Sequence, residues 1–209
     1  MKKRVFVSII LIGIILTLVS FIYDSEIISF ISLLRSFYLD YLFISIAFAS
    51  QSIIIFFVLT SLFLWQEHKR KWIFPLWLTL TLSIIISYIV KVLIHRPRPF
   101  QAGVVSVLGL GVYLMKNSFL TWNFSFPSFQ AMLVFSALPI LDKEFPKFKY
   151  LWLIFACFVA LSRVYFGLHY MSDVIAGAII GYLLGALFVY IEGRYKLGEK
   201  IMKRMKIKK

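Results

Sequence analysis

Long apolar runs separated by short polar segments dominate the hydrophobic pattern of this chain. An α-helix needs about 20 predominantly apolar residues to cross a bilayer, and several of these runs reach that length. A shorter apolar stretch, Ile27–Phe37, is interrupted by serine and Arg35 and predicts a helix lying at the membrane interface. The pattern predicts an all-α integral membrane protein, a six-helix transmembrane bundle with spans at Val5–Tyr23, Tyr41–Trp65, Trp72–Ile94, Ser128–Leu141 with its flanks, Tyr150–Leu161 and Asp173–Ile191.

The composition supports a membrane location for the whole chain. Hydrophobic residues make up 61% of the 209 residues, and the mean hydropathy is +0.90. So short a soluble fold cannot bury that much apolar surface. We therefore expect one membrane domain over residues 1–209, with a basic cytoplasmic tail at 194–209. The single cysteine, Cys157, excludes a disulfide framework and a cysteine-based metal site.

The net charge of +14 could suggest a nucleic-acid partner, but the distribution of basic residues argues against one. The lysine-rich tail directly follows an apolar run, and no nucleic-acid-binding motif is present. A basic segment next to a membrane span is typical of a topology determinant that contacts anionic lipid headgroups. The expected partners are the lipid bilayer and a lipid substrate.

The loops assign a sidedness to the spans. With a cytoplasmic N-terminus, 17 of the 23 lysines and arginines fall in cytoplasmic segments, as the positive-inside rule requires. Most of the remaining cations belong to two clusters, Lys91–Pro99 and Ser162–Asp173, which both fall on the extracytoplasmic side. We therefore expect cytoplasmic termini, one extracytoplasmic site and a plasma-membrane location.

Three glycines recur every four residues on the last predicted span, at Gly177, Gly181 and Gly185. Small residues at this spacing allow two helices to approach closely. We interpret them as a helix-packing surface instead of a pore lining.

The first polar cluster ends the third predicted span. Lys91 and Arg98 are seven residues apart, which is about two helical turns, and Pro97 and Pro99 stop the helix there. Basic residues at a membrane boundary can simply extend to the headgroups. Two prolines alternating with two arginines on the outer side favour an anion-binding site instead.

The second cluster places His169 four residues before Asp173, with Arg163 upstream. A carboxylate can hold an imidazole in its nucleophilic tautomer, and arginine clamps oxyanions with two hydrogen bonds. Between the clusters, Pro127 begins a helix whose first turn contains Ser128, a hydroxyl donor beside free backbone N–H groups. Asp173 and Ser128 could each be only a helix cap.

Together these segments resemble the type 2 phosphatidic acid phosphatase family, membrane relatives of the vanadium haloperoxidases. Its first signature, K-x6-R-P, is met by Lys91, Arg98 and Pro99, and its third, S-R-x5-H-x3-D, by Ser162, Arg163, His169 and Asp173. The resemblance spans residues 91–173 and implies a lipid phosphatase without a metal or other cofactor. It implies that His169 is the nucleophile, that Asp173 orients it, and that the phosphate-binding residues are Lys91, Arg98, Ser128 and Arg163.

The second signature, usually P-S-G-H, is incomplete. Pro127 and Ser128 match, but Phe129 and Gln130 replace the glycine and the histidine. In the family this histidine protonates the leaving oxygen, and an amide can only donate a hydrogen bond. Among the other histidines, His68 falls in a cytoplasmic loop and His95 lies within the first signature.

Three interpretations follow. The protein is a phosphatase whose leaving group needs little protonation, a phosphatase with His95 as the replacement acid, or a lipid-phosphate binder without turnover. A polyprenyl diphosphate suits the first, because its leaving group is already a stable phosphate anion; phosphatidic acid and phosphatidylglycerol phosphate are the other candidate substrates. A transporter is disfavoured because the charges cluster at one membrane face instead of the midplane.

Overall fold

The computed structural model describes residues 3–106 and 124–207. Every long element there is an α-helix, which confirms the all-α architecture. Short 3₁₀ segments at Glu67–Trp72 and Pro146–Phe148 directly precede the helices that begin at Ile73 and Lys149. The helices are α1 Lys3–Ile22, α2 Asp24–Leu33, α3 Phe37–Ala49, α4 Ser52–Leu64, α5 Ile73–Ile94, α6 Phe129–Glu144, α7 Lys149–Tyr165, α8 Met171–Tyr195 and α9 Leu197–Ile207.

The structure does not confirm the exact number of six spans that the sequence predicts. In the described residues, three helical segments are long and apolar enough to cross a membrane, those that contain α5, α7 and α8. Two further pairs of helices, α1 with α2 and α3 with α4, are each joined at a bend. The number rises to five if each pair is one span. The sixth candidate, α6, has only 16 residues and is covered by its neighbours, since most of its side chains are buried.

The second predicted span, Tyr41–Trp65, is not one straight helix. It breaks between α3 and α4, whose axes differ in direction by 62°. Ser50, at the break, is fully buried, and its hydroxyl donates to the carbonyl of Ala47 and accepts a hydrogen bond of 2.7 Å from Arg163. The bend therefore brings a polar group of the second apolar run to one of the predicted phosphate-binding arginines.

The glycines of α8 form the predicted packing surface. A Cβ atom added at Gly181 or Gly185 would overlap a backbone carbonyl oxygen of α6, and one added at Gly177 would overlap that of Ser128, just before α6. Only residues without a side chain permit this approach. The close contact fixes the first turn of α6, with Ser128 just before it, against the first turn of α8. The backbone N–H of Ser128 donates to the Asp173 carbonyl at 2.9 Å.

Three of the basic segments that the sequence assigns to the cytoplasm, the loop before α5, the loop after α6 and the C-terminal tail, meet at one end of the bundle. Lys69 donates to the carbonyl of Glu144 at 2.9 Å, and Gly198 of α9 lies directly against the carbonyl of Lys71. The buried carboxylate of Glu192 accepts the backbone N–H of Gly198 at 2.8 Å. The polar clusters at the ends of α5 and α7 lie at the opposite end.

Candidate active site

The predicted site residues converge from four helices and the segments beside them. Lys91 lies in the last turn of α5 and Arg163 in the last turn of α7, while His169 precedes α8 and Asp173 occupies its first turn. Each of the six side chains is at most 7% exposed. They are Lys91, Arg98, Ser128, Arg163, His169 and Asp173.

Arg98 and His169 are direct neighbours. Nη1 of Arg98 donates to the carbonyl of Leu168 at 2.9 Å and lies 3.3 Å from Nε2 of His169. The backbone N–H of Arg98 donates to the side-chain oxygen of Gln101 at 2.9 Å, which anchors the segment after the two prolines. An anion held by this guanidinium would therefore lie beside Nε2 of the imidazole.

The other imidazole nitrogen fixes the tautomer of His169. Nδ1 lies 2.7 Å from the backbone carbonyl oxygen of Ser125. Because a carbonyl only accepts, Nδ1 carries the hydrogen and Nε2 keeps its lone pair. Burial, followed by the positive charge of Arg98, lowers the pKa of His169 to about 3. The imidazole is thus neutral at ordinary pH, as a nucleophile must be.

Asp173 holds this arrangement through Ser125. Its Oδ2 is 3.8 Å from Nδ1 of His169, which is too far for a hydrogen bond. This oxygen instead accepts hydrogen bonds from the Ser125 hydroxyl and from the backbone N–H of Tyr170, the latter at 2.8 Å. Its Oδ1 accepts from Arg96 at 2.6 Å. Asp173 therefore both caps α8 and fixes the residue whose carbonyl orients His169.

Two buried donors in the site lack a partner among the residues that the structure describes: Ser128 Oγ and Arg163 Nε. The Ser128 side chain makes no capping bond to α6, so a role as a helix cap does not account for it. Buried polar groups are rarely left unpaired in native structures. A bound oxyanion would supply the missing acceptors.

Lys91 faces the protein instead of the headgroups. It is 1% exposed, and its Nζ donates to the carbonyl of Phe124 at 2.6 Å and lies 3.4 Å from that of Ser125. This geometry is inconsistent with a lysine extended to the membrane surface. It places a positive charge beside the carbonyl that orients His169.

The two candidates for leaving-group contact differ in their surroundings. Gln130 is half-buried in the first turn of α6, and its side chain forms no hydrogen bond within the described parts of the chain. His95 ends α5 with a left-handed backbone (φ 53°), is exposed, and packs its ring edge-on to Phe124 with centroids 4.6 Å apart. His95 thus lies outside the buried cluster.

Four further polar residues surround the cluster, and the sequence pattern alone did not select them as site residues. Each contacts Asp173 directly or through another member of the group. Two of them could have been identified from the sequence: Asp24 is a carboxylate between two apolar stretches, and Arg96 is a second arginine within the first signature. These residues are Asp24, Arg96, Ser125 and Ser172.

Comparison with known proteins gives consistent matches. The family model described as the PAP2 superfamily matches residues 72–196. Undecaprenyl-diphosphatase of Sulfolobus acidocaldarius is 31% identical over 147 residues, which are 69% of this chain and 68% of that protein. The bacitracin transport permease protein BcrC of Bacillus licheniformis is 44% identical over 66 residues, only 32% of either chain.

Two solved structures share the fold. The PAP2-type phosphatidylglycerolphosphate phosphatase of Bacillus subtilis superposes with a TM-score of 0.70 at 23% identity, covering 91% of this chain and 97% of that one. LpxE of Aquifex aeolicus gives a TM-score of 0.63 at 23% identity, covering 80% and 94%. At this identity, the likeness concerns the helical architecture.

Proposed function

Because this chain belongs to the PAP2 superfamily, we propose that it is an integral membrane lipid phosphatase with His169 as its nucleophile. The principal support is the environment of His169. Its neutral imidazole turns Nε2 toward Arg98, and two unpartnered donors, Ser128 Oγ and Arg163 Nε, are buried in the same cluster. This arrangement suits a phosphoryl group held for in-line attack.

The first step transfers the phosphoryl group to the enzyme. Nε2 of His169 attacks phosphorus, the N–P bond forms, and the bond to the leaving oxygen breaks with its electron pair remaining on that oxygen. The phosphoryl oxygens are bound by Lys91, Arg98, Ser128 and Arg163, whose positive charges and hydroxyl stabilise the charge that develops on them. Nδ1–H stays bonded to the Ser125 carbonyl and spreads the positive charge of the phosphorylated imidazole.

The second step regenerates the enzyme. A water molecule attacks phosphorus, the P–N bond breaks, and its electron pair returns to Nε2 of His169. The proton that the water loses passes to a phosphate oxygen or to solvent, and inorganic phosphate leaves. The same cations bind the phosphoryl group in both steps, so one pocket serves the whole reaction.

The proposed substrate is a polyprenyl diphosphate. Gln130 cannot transfer a proton to the leaving oxygen, and the exposed His95 is outside the buried cluster. A diphosphate expels a phosphate anion, which needs protonation far less than an alkoxide does. The undecaprenyl-diphosphatase relative supports this substrate class. The lipid tails would lie against the apolar helices, while the diphosphate enters from the headgroup region.

Phosphate release by the purified protein tests this function. We expect release from a polyprenyl diphosphate in detergent or vesicles, and much slower release from phosphatidic acid and phosphatidylglycerol phosphate. Ser128→Ala, which removes one unpartnered donor, should lower the rate, whereas Ser45→Ala, on the exposed side of α3, should not. Absence of phosphate release from every lipid would reject the enzymatic function.

A second function, binding of lipid phosphates without turnover, is favoured by one observation, glutamine at the position of the family's acid. The same pocket would then retain vesicles that carry lipid phosphate, and Arg98→Ala or Arg163→Ala would abolish retention. Retention without phosphate release identifies the binder, and phosphate release excludes it.

We further propose that the site faces the extracytoplasmic side of the plasma membrane, with both termini in the cytoplasm. The basic segments and the predicted site residues lie at opposite ends of the bundle, which supports this orientation. In a Cys157→Ser background, a cysteine at exposed Ala102 should react with an impermeant thiol reagent on intact cells. A cysteine at exposed His68 should react only after lysis. The reverse pattern, or equal labelling on intact cells, would contradict the orientation.

A further inference from the structure

A buried carboxylate lies at the bend of the first apolar run. α1 and α2 meet at Tyr23 with their axes 77° apart, and Asp24, the first residue of α2, is only 3% exposed. Charges in membrane domains are costly and persist mainly where they have a partner and a function. Residues 1–71 lie outside the segment that the family model matches, so Asp24 is not part of the family signatures.

The contacts of Asp24 all lead to the active-site side. Its Oδ1 accepts the backbone N–H of Ser172 at 3.0 Å, and its Oδ2 accepts from the Ser172 hydroxyl and from Nη2 of Arg96 at 2.7 Å. An acidic residue in a first helical turn ordinarily interacts with the N-terminus of its own helix. Here both carboxylate oxygens instead bind α8 and the segment after α5.

Arg96 connects this carboxylate to Asp173. Its Nη1 donates to the Ser172 hydroxyl at 2.8 Å and to Asp173 Oδ1 at 2.6 Å, while Nη2 binds Asp24. The guanidinium carbon lies 4.4 Å from the ring centroid of Phe21 and 4.1 Å from that of Tyr170. With two carboxylates bound to its nitrogens and two rings packed against it, Arg96 has a fixed geometry.

The connection continues to the nucleophile. Asp173 accepts the Ser125 hydroxyl, and the Ser125 carbonyl accepts Nδ1 of His169. The backbone N–H of Ser125 also donates to the Arg96 carbonyl at 2.8 Å. Arg96 therefore holds Ser125 twice, through its own carbonyl and through Asp173.

We infer that Asp24 is a positioning residue for the phosphoryl-transfer reaction. By fixing Arg96 and Ser172, it sets the position of Asp173 and, through Ser125, the orientation of His169. The inference rests on the proposed function, to which it adds a contribution from the first helix pair. Arg96, although two residues from Arg98, acts within this network and not as a phosphate ligand.

Asp24→Asn tests the inference, because it removes the charge and keeps the shape of the side chain. We expect kcat for polyprenyl diphosphate to fall about tenfold, equivalent to about 1.4 kcal/mol in activation free energy, with KM nearly unchanged because Asp24 does not touch the substrate. Glu26→Gln is the matched control: the same acid-to-amide change at an exposed position of α2 should leave kcat unchanged.

A double-mutant cycle separates positioning from general stability. In an Arg96→Gln background, adding Asp24→Asn should lower kcat less than about twofold, because the connection is already broken. Ser172→Ala, which removes the hydroxyl between Asp24 and Arg96 without leaving a buried charge, provides a second variant if Asp24→Asn does not fold. It should lower kcat while retaining the wild-type unfolding temperature.

An unchanged kcat in folded Asp24→Asn or Ser172→Ala would overturn the inference. So would an equal loss in the wild-type and Arg96→Gln backgrounds. If the wild type releases no phosphate, the proposed function fails. The positioning role is then tested separately by the binding of inorganic orthovanadate, which is measured as an increase in the unfolding temperature. Weaker vanadate binding in Asp24→Asn than in Glu26→Gln supports the inference, and equal binding contradicts it.

Discussion

Replacing His169 with alanine is expected to reduce phosphate release from a polyprenyl diphosphate by at least about 10⁴-fold. No other neutral imidazole lies in the buried cluster, since His95 is exposed at the end of α5 and His68 is exposed at the opposite end of the bundle. Without Nε2 the N–P bond cannot form, and the remaining cations only bind the substrate. The measurement is the steady-state rate in detergent, with substrate affinity determined separately.

Two controls distinguish loss of chemistry from loss of fold. His68→Ala, the same change at the opposite end of the bundle, should leave the rate intact. Asp173→Asn should lower the rate less severely than His169→Ala, because the Ser125 carbonyl still binds Nδ1. Folded His169→Ala protein that keeps substantial phosphatase activity would exclude His169 as the nucleophile.

The second large effect concerns the leaving group. With Gln130 in place of an acid, alkyl monophosphates should be hydrolysed about 10²–10⁴-fold more slowly than diphosphates, the usual contribution of general acid catalysis. Gln130→His should raise the monophosphate rate more than the diphosphate rate. Phe129, where the family has glycine, is expected to limit the space for the new imidazole. The measurement is the ratio of the two rates in each variant.

His95 provides the alternative that this experiment must separate. If His95 were the replacement acid, His95→Ala would selectively lower the monophosphate rate, despite its exposed position beside Phe124. We expect no such selective loss. Equal and rapid hydrolysis of both substrate classes, unaffected by either substitution, would contradict the proposed consequence of the missing acid.

Much of the fold could be predicted because the bilayer constrains sequence so strongly. Apolar runs of sufficient length become helices, and the four-residue glycine spacing identified the packing surface of α8. Its partner, α6, is known only from the structure. The break at Tyr23 agrees with the predicted end of the first span, before Asp24. The break after Ala49 could not be predicted, because it lies within the apolar run Tyr41–Trp65. Ser50, at this second break, accepts a hydrogen bond from Arg163, a residue far away in the sequence.

The candidate site was only partly predictable, for a similar reason. Fixed spacing along the chain indicated Lys91 with Arg98 and His169 with Asp173. Contacts between residues far apart in sequence have no such periodicity. Nδ1 of His169 bonds to the backbone carbonyl of Ser125. Every residue has a backbone carbonyl, so this contact cannot be inferred from the residue type at position 125. The roles of all these residues in catalysis remain predictions.

Trapping the phosphorylated enzyme tests the central proposal most directly. The purified protein is mixed with a polyprenyl diphosphate labelled at the terminal phosphate, quenched within the first turnover, and digested under alkaline conditions. We predict an acid-labile, base-stable phosphate on the peptide that contains His169, and none in His169→Ala. Phosphate release without any such intermediate, or with the label on another residue, would contradict it.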